Sequence, residues 1–399
     1  MGRRADGRYG RGMRIFPGIV LAMAAVVLTA CSGGGGETTA DRTSTTTGAT
    51  DTTTGTTSTA AQQDCAAGYL AQFTLRQKLA QLITVGVTDA ADAENVVRTE
   101  QVGGIFVGGW TDKALLGQGR IDAVLAASRT PLMVTVDEEG GRVSRLRDLI
   151  GSAPSARVVA QTMSVEEYYQ LSLERGRKMK ALGITVDFAP DVDVSSQPDD
   201  SVIGDRSYSD DPQVVTEYAG AFIRAMNEAG VGTVMKHFPG HGAGSGDSHT
   251  GAVRTPPLEQ LLDRDLVPFR GLIESGAAVM IGHLDVPGLT TPNVPASISP
   301  EVMALLRTGT GYGAAPFDGV IFTDDLGGMA AITSRMSIAE AVESALVAGA
   351  DNALWITTDA VTSVLDRLEQ AVASGRLPGS QVDASVLRMA RFKGTGPRC

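Results

Sequence analysis

The chain has few cysteines, few positive charges and no long apolar run in its interior. Lys and Arg number 34 against 45 Asp and Glu, so the formal net charge is −11 at pH 7. This acidic balance argues against nucleic acids and other polyanions as partners. After residue 30 no apolar run is long enough to cross a membrane. A hydrophobic fraction of 43% with 5% aromatics fits a soluble globular domain, for which a small neutral molecule or a carbohydrate is the more natural ligand.

The N-terminus differs from the rest of the chain. Residues 1–14 carry five arginines, residues 15–30 are apolar, and the run ends in Leu-Thr-Ala before Cys31. This arrangement resembles a bacterial lipobox and predicts a signal peptide over residues 1–30, cleaved before Cys31, whose thiol takes a lipid. The alternative is an uncleaved signal anchor. Cleavage would remove the five arginines and Asp6, changing the net charge to −15. We therefore expect a protein anchored by lipid to the extracytoplasmic face of the cell membrane.

The next segment, residues 31–64, predicts a tether. Beyond Cys31 it is almost entirely Gly, Thr, Ser, Ala, Gln and Asp, which cannot bury enough apolar surface to fold. Such a disordered segment has an r.m.s. span of about 30 Å. The folded domain is then residues 65–399, with Cys65 and Cys399 at its two ends. An oxidising exterior would let these two cysteines form a disulfide, and two free thiols are the alternative.

The folded domain alternates short apolar runs with longer helical segments. Continuous apolar strands separated by helices indicate βαβ units and a parallel sheet buried on both faces. Eight units in one domain favour a single (β/α)8 TIM-type barrel, and a doubly wound sheet is the alternative. The eight runs are residues 82–87, 104–108, 132–137, 184–190, 232–237, 278–283, 319–324 and 352–356, and residues 212–229 and 258–275 are typical of the helical segments between them.

Ionisable residues cluster where these strands end. Active sites of such barrels lie at the carboxyl ends of the strands, and the residues found there are Asp137, Asp191, Lys236, His237, His283 and Asp324. Three of the four histidines lie in KHFPGHGAGSGDSH, residues 236–249, where Pro239 and four glycines exclude a helix. A shaped loop that carries Lys236, Asp247 and three imidazoles is a candidate for binding or catalysis.

Three further motifs carry polar side chains, and each also has a purely structural interpretation. VDEEGGRVSR, residues 136–145, offers Asp137, Arg142 and Arg145 to a ligand, or forms a salt-bridged turn. Arg206, within residues 201–212, could reach a substrate or order its own loop. Asp324 and Asp325 follow the seventh strand; one would face the site and the other pack nearby, or either could cap the next helix.

Three functional hypotheses compete for this set. A metal site would use His237, His241, His249 and the aspartates, but the Pro-Gly spacing breaks the helical geometry that brings two imidazoles to one ion. A non-catalytic sugar-binding lipoprotein would need the polar rim alone. A retaining glycosidase needs a nucleophilic carboxylate and a proton donor on opposite sides of a sugar, and the sequence offers both.

Taken together, these motifs resemble glycoside hydrolase family 3, and within it the NagZ-type β-N-acetylglucosaminidases. The resemblance covers residues 66–395. The motifs occur in the family's order: DEEGGRVSR, then IGDRSYS, then KHFPGHG with DSH, and finally FTDDL. The resemblance implies a TIM barrel in which Asp324 is the nucleophile and Asp247 with His249 forms the acid/base dyad. It also implies sugar-binding positions at Asp137, Arg145, Arg206, Lys236 and His237.

The resemblance implies the function as well. We expect a monomer that needs no cofactor or metal and removes terminal β-linked N-acetylglucosamine (GlcNAc) from peptidoglycan or muropeptide fragments. A β-glucosidase or another exo-acting family 3 glycosidase is the alternative. Gly242, Gly244 and Gly246 predict a mobile loop that could swing His249 over a bound sugar. The chain departs from the family in lacking the family's HGDT after PGHG and in having Thr250 where a second histidine often follows the dyad.

Overall fold

Eight parallel strands form the centre of the molecule in the computed structural model, which describes residues 64–117 and 119–397. Seven of these strands lie within their predicted apolar runs, and β5 extends one residue beyond its run, to Phe238. They are β1 (Ile83–Gly86), β2 (Gly104–Val107), β3 (Met133–Val136), β4 (Val186–Asp187), β5 (Gly232–Phe238), β6 (Ala278–Ile281), β7 (Ile321–Thr323) and β8 (Ala353–Trp355).

The strands pair in the order β7-β6-β5-β4-β3-β2-β1-β8, and every pairing between them is parallel. A parallel bridge between Phe322 and Asn352 joins β7 to the residue before β8, so the sheet closes on itself. Closure leaves no open edge and points all carboxyl ends to one rim. The predicted TIM-type barrel is therefore confirmed, and the doubly wound alternative is wrong.

Helices surround the barrel, and local sequence explains where several begin and end. Ser164 and Ser337 form capping boxes with Glu167 and Glu340 at the starts of two long helices. The helices are Leu75–Ala80, Ala90–Glu100, Ala114–Gly117, Ile121–Ala127, Arg147–Ile150, Ala156–Thr162, Val165–Ala181, Pro212–Ala229, Leu258–Leu262, Leu266–Leu272, Pro300–Thr308, Ala330–Thr333, Ile338–Ala348, Val361–Ala373 and Gly379–Phe392, with 3₁₀ turns at Gly204–Arg206 and Ala296–Ile298. Residues 64–70 are also helical.

Two small sheets lie outside the barrel. Glu138–Gly140 pairs antiparallel with Val143–Ser144, directly after β3. Val253–Arg254 pairs in parallel with Leu284–Asp285, after β5 and β6. Both shape the rim at the carboxyl ends of the barrel strands.

One predicted helical segment is divided in two. The periodic stretch 258–275 forms the helices Leu258–Leu262 and Leu266–Leu272, with a turn between them. Pro268 explains the break, because proline has no N–H for the carbonyl of Arg264 and its ring clashes with that carbonyl in a continuous helix.

Several predictions concern residues outside the described ranges. The signal peptide, Cys31, the tether up to residue 63 and Cys399 all lie there, while residue 64, the last of the predicted tether, is helical. Cys65 is disulfide-bonded, and its pairing with Cys399 stays a prediction. Within residues 64–117 and 119–397, no helix is both long and apolar enough to cross a membrane.

Candidate active site

A cavity of about 310 Å³ opens at the carboxyl ends of the barrel strands. Seven of the eight residues expected to act on the substrate line it, namely Asp137, Arg145, Arg206, Lys236, His237, His249 and Asp324. The eighth, Asp247, contacts Nδ1 of the His249 ring. Part of the cavity wall is apolar and is formed by Phe106, Phe188, Met280 and Leu354. A cavity with apolar walls and a few converging polar groups is typical of a site for a small ligand.

Asp324 and Asp325 follow β7 and both line the cavity, but they make different hydrogen bonds. Asp324 lines the cavity, and one of its oxygens accepts the N–H of Asp325 at 2.9 Å. Burial alone would raise the pKa of Asp324, but the neighbouring His237 and His283, the N–H of Asp325 and Lys236 outweigh it and lower that pKa. The carboxylate is therefore ionised at neutral pH, as a nucleophile requires.

Asp325 has a structural role. Its two oxygens accept the N–H groups of Gly327 and Gly328 at 2.7 and 2.9 Å, which shapes the turn after the strand. Burial raises the pKa of Asp325 to about 6. Beneath the pair, buried His283 lies 2.8 Å from the carbonyl of Asp325 and 2.6 Å from the Ser297 hydroxyl. These contacts favour Asp324 over Asp325 as the group that acts on a ligand, because both oxygens of Asp325 are engaged by the turn.

Asp247 and His249 lie together on the loop after β5. The Asp247 Oδ1 atom is 2.7 Å from Nδ1 of His249 and also accepts the His249 backbone N–H at 2.9 Å. Partial burial would raise the pKa of Asp247, but these contacts with His249 outweigh it and lower that pKa. The carboxylate fixes Nδ1 as the protonated nitrogen and leaves Nε2 for the substrate. The His249 side chain is 62% exposed, so it can reach both a leaving group and water.

This loop is fastened to the segment after β7. The carbonyl of Ser248 accepts the Ala331 N–H at 3.1 Å, and the Ser248 hydroxyl lies 3.4 Å from the Met329 sulfur. Ser248 is the residue between the two dyad members, so the contact connects the dyad loop to the Asp324 segment. The arrangement places both candidate catalytic groups on the same cavity.

The loop glycines have local reasons of their own. A Cβ atom on Gly242 would lie 2.0 Å from the carbonyl oxygen of Val194, and one on Gly244 would lie 2.9 Å from a Val253 methyl. Gly246 has φ = 117°, a conformation that strains any other residue. Close packing and backbone conformation therefore explain these glycines, and loop mobility stays a prediction.

Four charged residues that line the cavity form a largely buried cluster. Lys236 Nζ lies 2.7 Å from an Asp137 oxygen and 2.5 Å from a Glu139 oxygen. Arg206 binds the same Glu139 carboxylate through two nitrogens, at 2.8 and 2.9 Å. Burial alone would raise the pKa of Glu139, but Arg206 and Lys236 outweigh it and hold that pKa well below its usual range. Glu139 therefore orients two of the predicted sugar-binding cations.

Beneath the cluster, Asp191 accepts the Asp193 backbone N–H at 2.9 Å, and Asp193 in turn holds His237. Its Nδ1 atom is 2.7 Å from an Asp193 oxygen, and Asp193 also accepts the His241 backbone N–H at 2.6 Å. Burial lowers the pKa of His237, so the ring is neutral. Burial and the neighbouring Asp193 charge raise the pKa of Asp191 to about 8. One member of this carboxylate pair therefore holds a proton at neutral pH.

The metal hypothesis can be compared with this arrangement. Within the described residues, Asp191, Asp193 and His237 are the group whose donor atoms all lie within 4.8 Å of one another. Neither His241 nor His249 belongs to that group. Its donors already contact one another, and Arg206 lies 3.5 Å from Asp191, where a cation would meet a positive charge. We assign the three residues to the hydrogen-bond network that holds His237.

The two arginines of the 136–145 motif have different roles. Arg142 donates to the carbonyls of residues 201–203 and pairs with Asp205 at 3.0 Å, so it fastens a rim loop. Arg145 lines the cavity, and its Nε atom has no hydrogen-bond partner among the described residues. For Arg142 the salt-bridged turn is the correct interpretation, while Arg145 remains available to a ligand.

Sequence reasoning did not single out Glu138, Glu139 or Asp193. Glu138 accepts from Ser144 and from the N–H groups of Arg145 and Leu146, and pairs with Arg175 at 2.7 Å, so it holds the turn after β3. The alternation of side chains along an extended segment could have identified Glu139. In such a segment Asp137 and Glu139 share one face, and Glu138 lies on the other.

Comparisons with known proteins agree with this geometry. The family model described as the glycosyl hydrolase family 3 N terminal domain matches residues 74–392. The Beta-hexosaminidase LpqI of Mycobacterium tuberculosis is 54% identical over 382 residues, which is 95% of this chain and 97% of that protein.

Two solved structures extend the comparison. A glycosyl hydrolase of the GH3 family from Mycobacterium smegmatis aligns with a TM-score of 0.80 and 58% identity, covering 83% of this chain and 99% of that one. A family 3 β-N-acetylglucosaminidase from Paenibacillus aligns with a TM-score of 0.74 and 33% identity, covering 81% and 62%.

Proposed function

Since the chain belongs to glycosyl hydrolase family 3, we propose that it is a retaining, exo-acting β-N-acetylglucosaminidase that removes terminal β-linked GlcNAc. The chain is a glycoside hydrolase by the family match over residues 74–392. The main support for the proposal is that Asp324 and His249 line the same cavity.

In the first step, the Asp324 carboxylate attacks the anomeric carbon and forms a glycosyl ester. The bond from that carbon to the leaving oxygen breaks, and the oxygen takes a proton from Nε2 of His249. Asp247 stabilises the imidazolium through Nδ1–H. The lowered pKa of Asp324 supports its role, because the attacking group must be ionised.

In the second step, water attacks the same carbon and the ester to Asp324 breaks. The neutral His249 ring takes the proton of the attacking water, which restores the starting state and retains the configuration. The exposed position of His249 supports this step, since water has access to it. The buried cluster of Asp137, Arg206 and Lys236 would hold the sugar during both steps.

We extend the proposal to the substrate source. The lipobox-like sequence at Cys31 would place the enzyme outside the membrane, where bacterial peptidoglycan carries β-linked GlcNAc. Muropeptide fragments that end in GlcNAc are the substrates that fit an exo-acting enzyme there. Release of GlcNAc from purified muropeptides, followed by chromatography, tests this part.

Two variants test the assigned roles. Asp324→Ala removes bond formation, so turnover of every substrate should stop. His249→Ala removes only proton donation, a contribution usually worth about 10²–10⁴-fold. An activated nitrophenol leaves without that proton, so GlcNAc release from muropeptides should fall far more than the nitrophenol burst. Azide should then rescue breakdown of the ester, because it needs no general base.

Controls and contrary outcomes complete the test. Asp359→Ala, at an exposed carboxylate outside the cavity, should retain wild-type rates. Mass spectrometry with a fluorinated GlcNAc should find the adduct on the peptide that contains Asp324, and an adduct elsewhere would disprove the assignment. Faster turnover of nitrophenyl β-glucoside than of the GlcNAc analogue would favour the β-glucosidase alternative. Binding without any turnover would favour the sugar-binding lipoprotein.

A further inference from the structure

An exposed tryptophan stands at the mouth of the cavity. The chain has two tryptophans, and Trp355, in β8, is fully buried. Trp110, on the turn after β2, is 49% exposed although it lines the same cavity as Asp324 and His249. Tryptophan is highly buried on average, so a half-exposed ring beside a ligand cavity indicates a contact that is completed by a ligand.

The turn that carries Trp110 is held rigidly. The Thr111 hydroxyl accepts the Gly108 N–H at 3.0 Å and donates to the Val87 carbonyl at 2.6 Å. Lys113 Nζ donates to the carbonyls of Gly108 and Thr111 at 2.7 and 2.8 Å. The indole lies directly over Gly108, where a Cβ atom would come within 2.4 Å of the ring. The ring is therefore exposed yet fixed in position.

The inner side of the indole continues the apolar wall of the cavity. Its ring centroid lies 5.9 Å from that of Phe106, which in turn lies 5.8 Å from that of Phe188. The charged groups that would hold the terminal sugar are buried deeper, in the cluster of Lys236 and Glu139. Trp110 thus belongs to the exposed part of the cavity wall, whereas the charged cluster belongs to its buried part.

We infer that Trp110 is a specificity-determining platform on which the second sugar ring of a disaccharide substrate, the aglycone, stacks its apolar C–H face. A pyranose ring is flat and apolar on one face, which matches a fixed indole, and its hydroxyls stay in water at the exposed mouth. The inference rests on the proposed function, because it assumes that the terminal GlcNAc occupies the inner cavity.

Tryptophan fluorescence tests the contact directly. With Trp355 buried, a ligand at the cavity mouth should change the emission of Trp110. In an Asp324→Ala background, which prevents turnover, titration with the β-1,4 disaccharide of GlcNAc should change the emission, and free GlcNAc should change it far less. Trp110→Phe should abolish the change. An equal response to both ligands, or an unaltered response in Trp110→Phe, would overturn the inference.

Kinetics with two substrates separate this contact from general damage. The disaccharide and methyl β-GlcNAc share the terminal sugar and differ only in the aglycone. We expect Trp110→Ala to reduce the ratio of kcat/KM for the disaccharide to that for the methyl glycoside by about 3- to 10-fold, mainly through KM, with Trp110→Phe restoring part of the loss. Val158→Ala, at an exposed apolar residue outside the cavity, should leave the ratio unchanged.

The contrary outcomes are distinct. An unchanged ratio in Trp110→Ala would disprove the platform while leaving the proposed function intact, since the wild-type enzyme would still hydrolyse both glycosides. Absence of wild-type turnover on both glycosides would refute the proposed function, and the inference with it.

Discussion

Replacing Glu139 by glutamine should destabilise the protein far more than the same change at the surface. Glu139 is buried and accepts two hydrogen bonds from Arg206 and one from Lys236. Removing one partner of such a buried set typically costs about 3–5 kcal/mol, because the remaining charges lose their compensation. Lys236 keeps Asp137 at 2.7 Å, and Arg206 keeps Asp191 at 3.5 Å. We therefore expect the lower end of that range, about 3 kcal/mol.

Urea unfolding at pH 7 measures this cost, and Glu94→Gln is the matched control. Glu94 pairs with Arg98 one helical turn away, at 2.6 Å, with both side chains largely exposed. Such a pair contributes only about 0.3–0.5 kcal/mol. A loss below about 1 kcal/mol in Glu139→Gln would refute the reasoning.

The same variant has a defined pH dependence. The folded-state pKa of Glu139 lies below its unfolded value, which is about 4.3 for a free glutamate. Its contribution to stability is therefore fully present above that unfolded value and is lost as the pH falls towards the lowered folded value. The difference between wild type and Glu139→Gln should shrink below about pH 4.

Three further predictions concern other parts of the chain. Burial raises the pKa of Asp265 to about 7, so ionisation of this carboxyl group destabilises the folded protein as the pH rises from about 4 to 7. The stabilisation caused by Asp265→Asn should therefore be greater at pH 8 than at pH 4, by up to about 4 kcal/mol. Asp263→Asn, at an exposed position, is the control and should not show this gain. Cys31→Ala should release the protein from membranes with activity retained; a mutant that still sediments with washed membranes would contradict the lipid anchor. Non-reducing peptide mapping should recover Cys65 linked to Cys399, a bond worth about 2–5 kcal/mol, and a different partner for Cys65 would disprove the pairing.

Much of the fold follows from local sequence. Every barrel strand coincides with a predicted apolar run to within one residue, because a strand buried on both faces must be apolar along its length. The position of Asp324 is equally local, since it is the first residue beyond β7 and must therefore lie at the rim. The Asp247–His249 contact spans only two residues, so its loop could be recognised as a unit before the fold was known.

Partners distant in sequence were decided by tertiary structure alone. Glu139 and Arg206 are 67 residues apart, and Asp137 and Lys236 are 99 apart, so only closure of the barrel brings them together. Arg142 and Arg145 lie in one motif, yet one fastens a rim loop and the other faces the cavity. The presence of Trp110 and Asp324 on the same cavity likewise depends on closure of the barrel. Local sequence determined which residues end each strand, whereas the closed sheet determined which of them face one another, because side-chain partners depend on distances that only packing sets.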